Sequence, residues 1–465
     1  MKRNTIISIA KGIAIILMVI AHAEAPGWLC KFIFEFHMPL FFITAGYFFS
    51  LKYLNDEATF VKKRVKGLYW PFVKWAVFFL IIHNWMFDLG ILNETFGNEA
   101  GGVTHPYSWH QMQQNLWTIV TAMAGYDAFL CGAFWFFRGL FVASILYLII
   151  YKVVDFGLLR ITRLLRLPSK AKALTPYLIC LLLLLLCGWK TYEGLRVINL
   201  VQGGYRDMMG CFFFGCGFIF RQFVDDYHKA TSRLYISLPM TLACAVIVFL
   251  FSKYLTANMN WRSTYTQFLS LPIPALLGFL MTYNVSRWID SSQGLFKKFL
   301  VYTGDHTLNI FIFHIISYKA VSLLKIWYYG LDSRQIGCHM VIHDYSQQDL
   351  FWILYTIAGV GLPLMGTWCS DQVKKKFREM RANQSHQDDG LQNVEHHLDL
   401  RIGDTLFTNQ FQLIFNNRLL GFAALQQIAV ETVSSVINMP AEPEAEAIVQ
   451  QIVWRGLTSC QHLLV

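Results

Sequence analysis

Apolar positions run along this chain in ten stretches, near 5 to 23, 31 to 51, 69 to 89, 129 to 151, 174 to 189, 204 to 220, 234 to 254, 265 to 285, 299 to 327 and 349 to 369. Each approaches the roughly 20 residues that a helix needs to cross a bilayer core. The pattern predicts an all-α, polytopic integral membrane protein with about ten transmembrane helices. The polar positions between the stretches carry a second regularity. Lys62, Lys63, Arg64 and Lys66 follow the second stretch, Arg160, Arg163, Arg166, Lys170 and Lys172 the fourth, and Lys374, Lys375, Lys376 and Arg378 the tenth. If every stretch spans, all three clusters lie on one side. The positive-inside rule makes that side cytoplasmic and puts both termini there. The segment from Asp88 to Asp127 holds Glu94, Glu99 and several Gly and Asn residues but no Lys or Arg, which suits an external loop, and its Tyr107, Trp109 and Trp117 suit an interfacial cap.

The first stretch is not purely apolar. From Ile6 to Ala23 the exceptions to apolar side chains and glycine are Ser8, Lys11 and His22. Hydrocarbon disfavours both ionisable groups, which makes them candidates for function. Eleven residues make about three turns, so Lys11 and His22 share one face about 16 Å apart along the axis. The bland alternative is a lysine that snorkels to one interface and a histidine at the other. It accounts less well for a second histidine, His37, in the next stretch.

These residues carry a family resemblance. Lys-Gly-Ile-Ala-Ile-Ile-Leu-Met-Val-Ile-Ala-His at 11 to 22 and Phe-His-Met-Pro-Leu-Phe-Phe-Ile-Thr-Ala-Gly-Tyr-Phe-Phe at 36 to 49 resemble the opening of the membrane acyltransferase-3 family, whose members O-acylate glycans. The basic residue, ten intervening residues and a histidine keep the family's spacing. Lysine stands where arginine is commoner, and Ser8 where relatives with lysine often have aspartate. Four later stretches resemble the family in order. They are Lys63-Arg64 with Pro71, Phe134-Trp135-Phe136-Phe137-Arg138-Gly139-Leu140-Phe141, Phe212-Phe213-Phe214-Gly215 with Arg221, and Gly304-Asp305-His306-Thr307-Leu308-Asn309-Ile310 through His314. The likeness covers roughly residues 5 to 370.

The resemblance implies an O-acyltransferase of the plasma (inner) membrane that moves an acyl group, acetyl expected, from cytosolic acyl-CoA to a hydroxyl of a cell-envelope glycan or lipid-linked saccharide. Such a transfer needs a base for the alcohol and oriented reactants. His22 is the expected base, because imidazole titrates near neutral pH. His37 is the expected second member, orienting or binding substrate. Lys11, Lys63 and Arg64 could meet the phosphates of the donor, although a purely topogenic role suits the two loop residues equally. Arg138, inside an apolar stretch, is a substrate-binding candidate; its structural alternative is a pair with Glu35, itself a candidate. His314 is either a further site residue or a satisfied core histidine. His306 and His314 are eight apart, too far for a metal pair at i and i+4, so no metal and no bound cofactor are expected, with acyl-CoA as donor substrate. The alternative from another class is a transporter or exporter of a lipid-linked glycan. No repeat of the Lys11 to Phe49 pattern in the second half supports an inverted-repeat transporter.

Composition agrees with the membrane reading: of 465 residues 55% are hydrophobic and only 15% charged. The net charge of +10 fits cytoplasmic loops and anionic headgroups better than nucleic acid. Ten cysteines show no CxxC or zinc spacing and read as small buried hydrophobes. Met1-Lys2-Arg3 and Ala23-Glu24-Ala25 look signal-like, but Pro26 would follow the cut and the run is long enough to span, so a retained first helix is expected. The chain divides into a membrane acyltransferase domain, 1–372, and a basic linker with an acidic cytoplasmic tail of unassigned role, 373–465. From 383 onwards acidic side chains outnumber Arg401, Arg418 and Arg455. Gly403-Asp404-Thr405 is a poor match to the Gly-Asp-Ser of an esterase-like partner domain.

Overall fold

The computed structural model describes residues 4–97, 102–164, 173–193, 204–226, 237–257, 259, 270–342 and 349–391. Glu99, Arg166, Lys170, Lys172 and the tail from residue 392, with its Gly403-Asp404-Thr405, lie outside the described residues. Contacts divide the chain into two units, Met1–Glu379 and Met380–Val465, and the first holds the helical bundle.

Fourteen α-helices and no β-strand occur among the described residues. They are α1 Thr5–His22, α2 Gly27–Phe34, α3 His37–Tyr47, α4 Glu57–Arg64, α5 Trp70–Asp88, α6 Trp109–Ala122, α7 Trp135–Leu164, α8 Thr175–Tyr192, α9 Tyr205–Asp226, α10 Leu238–Tyr254, α11 Pro272–Ser291, α12 Leu295–Asp305, α13 Thr307–Tyr329 and α14 Phe351–Leu391. Each of the ten apolar stretches forms helix over most of its described length, and the protein is an all-α polytopic membrane protein. Eight segments are long and apolar enough to span among the described residues. The other two stretches give α10, which is a residue short of the 18 such a span takes, and α11, whose Asn284, Arg287 and Asp290 lower its hydropathy.

Two of the expected continuous stretches are broken, and the breaks place the site. The second stretch parts into α2 and α3 because Pro39 has no N–H for the Glu35 carbonyl four residues back, and its ring crowds that carbonyl. Phe36 leaves the helix with φ −140°, and Leu40 N–H takes up the Phe36 carbonyl. The ninth parts at His306 into α12 and α13. A π-turn over Val65–Tyr69 precedes Pro71, with Trp70 N–H reaching back five residues to Val65 O.

Lipid gives helices no hydrophobic reason to associate, so close backbone approach and interdigitated rings must hold the bundle. A Cβ on Gly304 would stand 1.7 Å from the Ser8 carbonyl oxygen, and one on Gly12 2.4 Å from Leu300 O, so glycine lets α1 and α12 touch backbone to backbone. The same holds where Gly46 of α3 meets Phe214 O and Gly217 of α9 meets Ile43 O. Beside that crossing, the Phe49 ring lies edge-on to Phe60, Tyr147, Phe214 and Phe218. Such pairs each contribute about 0.5–1.5 kcal/mol beyond area burial.

Candidate functional site

The crossing of α1 and α13 sets the central geometry. Tyr318 of α13 donates its hydroxyl to Val19 O on α1 at 2.7 Å, one turn before His22. Tyr355 of α14 braces the Tyr318 ring edge-on and shares a hydrogen bond with Ser322. This clamp brings His22 against His314: Nδ1 of His22 lies 3.0 Å from Nε2 of His314, with the rings stacked at 5.2 Å.

The hydrogen-bond partners assign the protons, because a carbonyl oxygen can only accept. Nδ1 of His314 faces the carbonyls of Phe311 at 3.0 Å and Ile310 at 3.2 Å, so it carries the hydrogen. Nε2 of a neutral His314 is then a lone pair, and Nδ1–H of His22 donates to it. That leaves Nε2 of His22 as a basic lone pair. His37 follows the same logic. As the first residue of α3 it donates Nδ1–H to Ile33 O at 2.9 Å, across the Pro39 break, and keeps Nε2 basic.

His22 and His37 line one small chamber with Met18, Phe34, Met38, Ala133, Trp135, Met259 and Phe311. Its volume, about 30 Å³, is enough to hold a water molecule. Larger cavities flank it. A mostly apolar one of about 250 Å³ begins at Lys11 and Leu68 and shares Met18, Met38 and Phe311 with the chamber. The other, about 240 Å³, holds Arg138, Arg206 and Asp207 and shares Trp135 with it. Three neighbouring spaces with shared walls therefore lie between Lys11 and Arg138, and two imidazoles line the middle one. Two of the shared walls are methionines, whose unbranched chains can rearrange to widen it.

The family model described as an acyltransferase domain matches residues 4–369. The chain belongs to the acyltransferase-3 family. No curated protein and no solved structure matches it. Within this acyltransferase the expected site residues separate into two groups. His22, His37, His314, Lys11 and Arg138 gather along the three spaces, His314 through its bond to His22. Glu35, Lys63 and Arg64 line none of these cavities. Glu35 is fully buried and accepts the Ala257 N–H at 3.1 Å, a bond to backbone and not to Arg138. Lys63 donates to the Tyr53 hydroxyl at 3.1 Å, and the Arg64 guanidinium covers the rings of Phe60 and Phe214 one turn before cavity-lining Leu68.

Three features are not evident from local sequence. Ser8, standing where relatives often have aspartate, donates its hydroxyl to Asp305 of α12 at 2.9 Å, so a carboxylate reaches this position from another helix. Arg206 and Asp207 open an apolar stretch, and their charge at its edge was the signal available. His83 pairs with Asp127 out of solvent, and its other nitrogen donates to His105 O at 3.0 Å. The pair ties α5 to the loops on both sides of α6. Of the aromatic cap, Tyr107 is stacked on His83 at 3.9 Å, while Trp109 and Trp117 are exposed.

Proposed function

We propose that this acyltransferase moves an acyl group, acetyl expected, from acyl-CoA to a saccharide hydroxyl at the His22 and His37 chamber. The observation that carries the proposal is that two histidines, each with Nδ1 held by a partner inside the bundle, line one small chamber that shares walls with a cavity at Lys11 and a cavity at Arg138. The donor enters at the Lys11 end, where Lys11, Lys63 and Arg64 supply positive charge for its phosphates, and the apolar cavity takes the arm and thioester. The acceptor enters at the Arg138 end.

In the transfer, the acceptor oxygen bonds to the thioester carbonyl carbon as its proton moves to Nε2 of His22. The resulting imidazolium keeps its Nδ1–H on Nε2 of His314, which holds the ring in orientation while the charge lasts. Collapse breaks the C–S bond, and the thiolate leaves with the proton returned from His22. His37, in the same chamber, orients the hydroxyl. The basic loops mark the cytoplasmic side by the positive-inside rule, so the donor comes from the cytosol and the acceptor from the cell envelope.

The purified protein should release free CoA from radiolabelled acetyl-CoA only when a saccharide is present, with label recovered on the sugar. Mass spectrometry of surface glycans from cells with and without the protein should show the matching acyl mass. Saccharide-independent CoA release with no labelled sugar, together with identical glycans, contradicts the proposal.

A further inference from the structure

The cavity beyond Trp135 is built for charge. Arg138 stands in the first turn of α7, and Arg206 and Asp207 stand in the first turn of α9, so two helix N-termini converge there with their N–H groups and positive dipole ends. Arg206 is 8% exposed and Asp207 4%. The Arg206 guanidinium lies 4.1 Å from the centre of the Trp135 ring, the wall shared with the imidazole chamber, and its Nε donates to Met259 O at 3.3 Å. Oδ2 of Asp207 is out of solvent and meets no hydrogen-bond partner among the described residues.

A buried carboxylate oxygen without a donor is costly unless something in the cavity supplies one. Two guanidiniums against one carboxylate leave the space net positive, which favours an anion over a cation. A purely structural network has no use for about 240 Å³ of space beside these groups. The three side chains together ask for a ligand with an oxyanion and, a few ångströms away, a hydroxyl that can donate.

We infer that this cavity is the acceptor subsite and that it selects an anionic saccharide. Its carboxylate or phosphate sits between Arg138 and Arg206, one of its hydroxyls donates to Asp207 Oδ2, and another points past Trp135 toward His22. This rests on the acyl-transfer reading for the word acceptor, whereas the binding itself does not.

Ligand-observed NMR on the purified protein in detergent separates the two. Glucuronate, glucose 6-phosphate and glucose serve as probes for a carboxylate sugar, a phosphate sugar and a neutral one. Wild-type protein should bind at least one anionic probe about tenfold more tightly than glucose, the scale of a single charge-assisted hydrogen bond, and the tighter of the two anions identifies the source of the charge. Arg206→Met and Arg138→Met should each abolish that preference, Arg206→Lys should restore part of it, and Asp207→Asn should weaken all three probes alike. Equal affinity of wild-type protein for all three sugars overturns the inference without reference to any variant. So does an anionic preference that survives in a folded Arg206→Met protein. Loss of transfer in His22→Ala leaves this binding experiment readable, and a failed binding preference leaves acyl transfer standing.

Discussion

At the scale of single residues, the proposed transfer depends on two carbonyls it never touches, those of Ile310 and Phe311, which fix the nitrogen of His314 that accepts from His22. A residue that works only through another gives non-additive losses. His22→Ala is expected to lower acyl transfer by about 10²- to 10⁴-fold, and His314→Ala by a smaller factor. The double variant should be no slower than His22→Ala alone. Independent, multiplying losses measured on folded protein would show that His314 acts elsewhere. Lys11→Met should raise the KM for acyl-CoA or lower kcat/KM, and Lys11→Arg should keep most activity. Unchanged values in Lys11→Met would leave Lys11 as an interfacial anchor. His22, His37 and Lys11 were legible in the sequence because an ionisable side chain in a span is conspicuous. The pairing of His22 with His314 was not, since 292 residues separate them and nothing in either local pattern signals the other.

At the scale of elements, the break at Pro39 trades helix continuity for position. Pro39→Ala restores an N–H for the Glu35 carbonyl, so the second span can run through residues 35 to 37 and carry His37 out of its bond to Ile33 O. The expected result is a thermal midpoint at or above that of the parent with transfer reduced by about tenfold or more, because small displacements at a reacting centre are expensive. A variant with parental activity would show that the break does not position His37. The glycine crossings fail differently. Gly304→Ala drives a methyl group into the Ser8 backbone, and overpacking of this kind costs about 1–3 kcal/mol, whereas Gly67→Ala meets open space. The first should lower the thermal midpoint in detergent and the second should leave it unchanged. All ten stretches were readable from hydropathy alone. Their breaks were less so: Pro39 was in plain view, but whether a proline kinks or parts a helix depends on neighbours such as the Ala257 amide that donates to the Glu35 carboxylate.

For the whole molecule, transfer across the membrane requires the two large cavities to open on opposite sides. Single cysteines at Gln113 of α6 and Lys62 of α4, in a background with all ten native cysteines replaced, should report this. An impermeant maleimide should label Gln113→Cys in intact cells and Lys62→Cys only after permeabilisation; the reverse would invert the topology. An expected orientation could be drawn from the basic loops because charge bias is local. The three neighbouring spaces could not be drawn from it, because their shared walls Met18, Met38, Trp135 and Phe311 read as ordinary apolar positions until the fold brings them together. The most direct measurement encloses radiolabelled acetyl-CoA in proteoliposomes with the Lys62 face inward and supplies saccharide only outside. Labelled sugar should accumulate outside with wild-type protein and not with His22→Ala. Label appearing only when donor and saccharide share one compartment would contradict transfer through the His22 constriction.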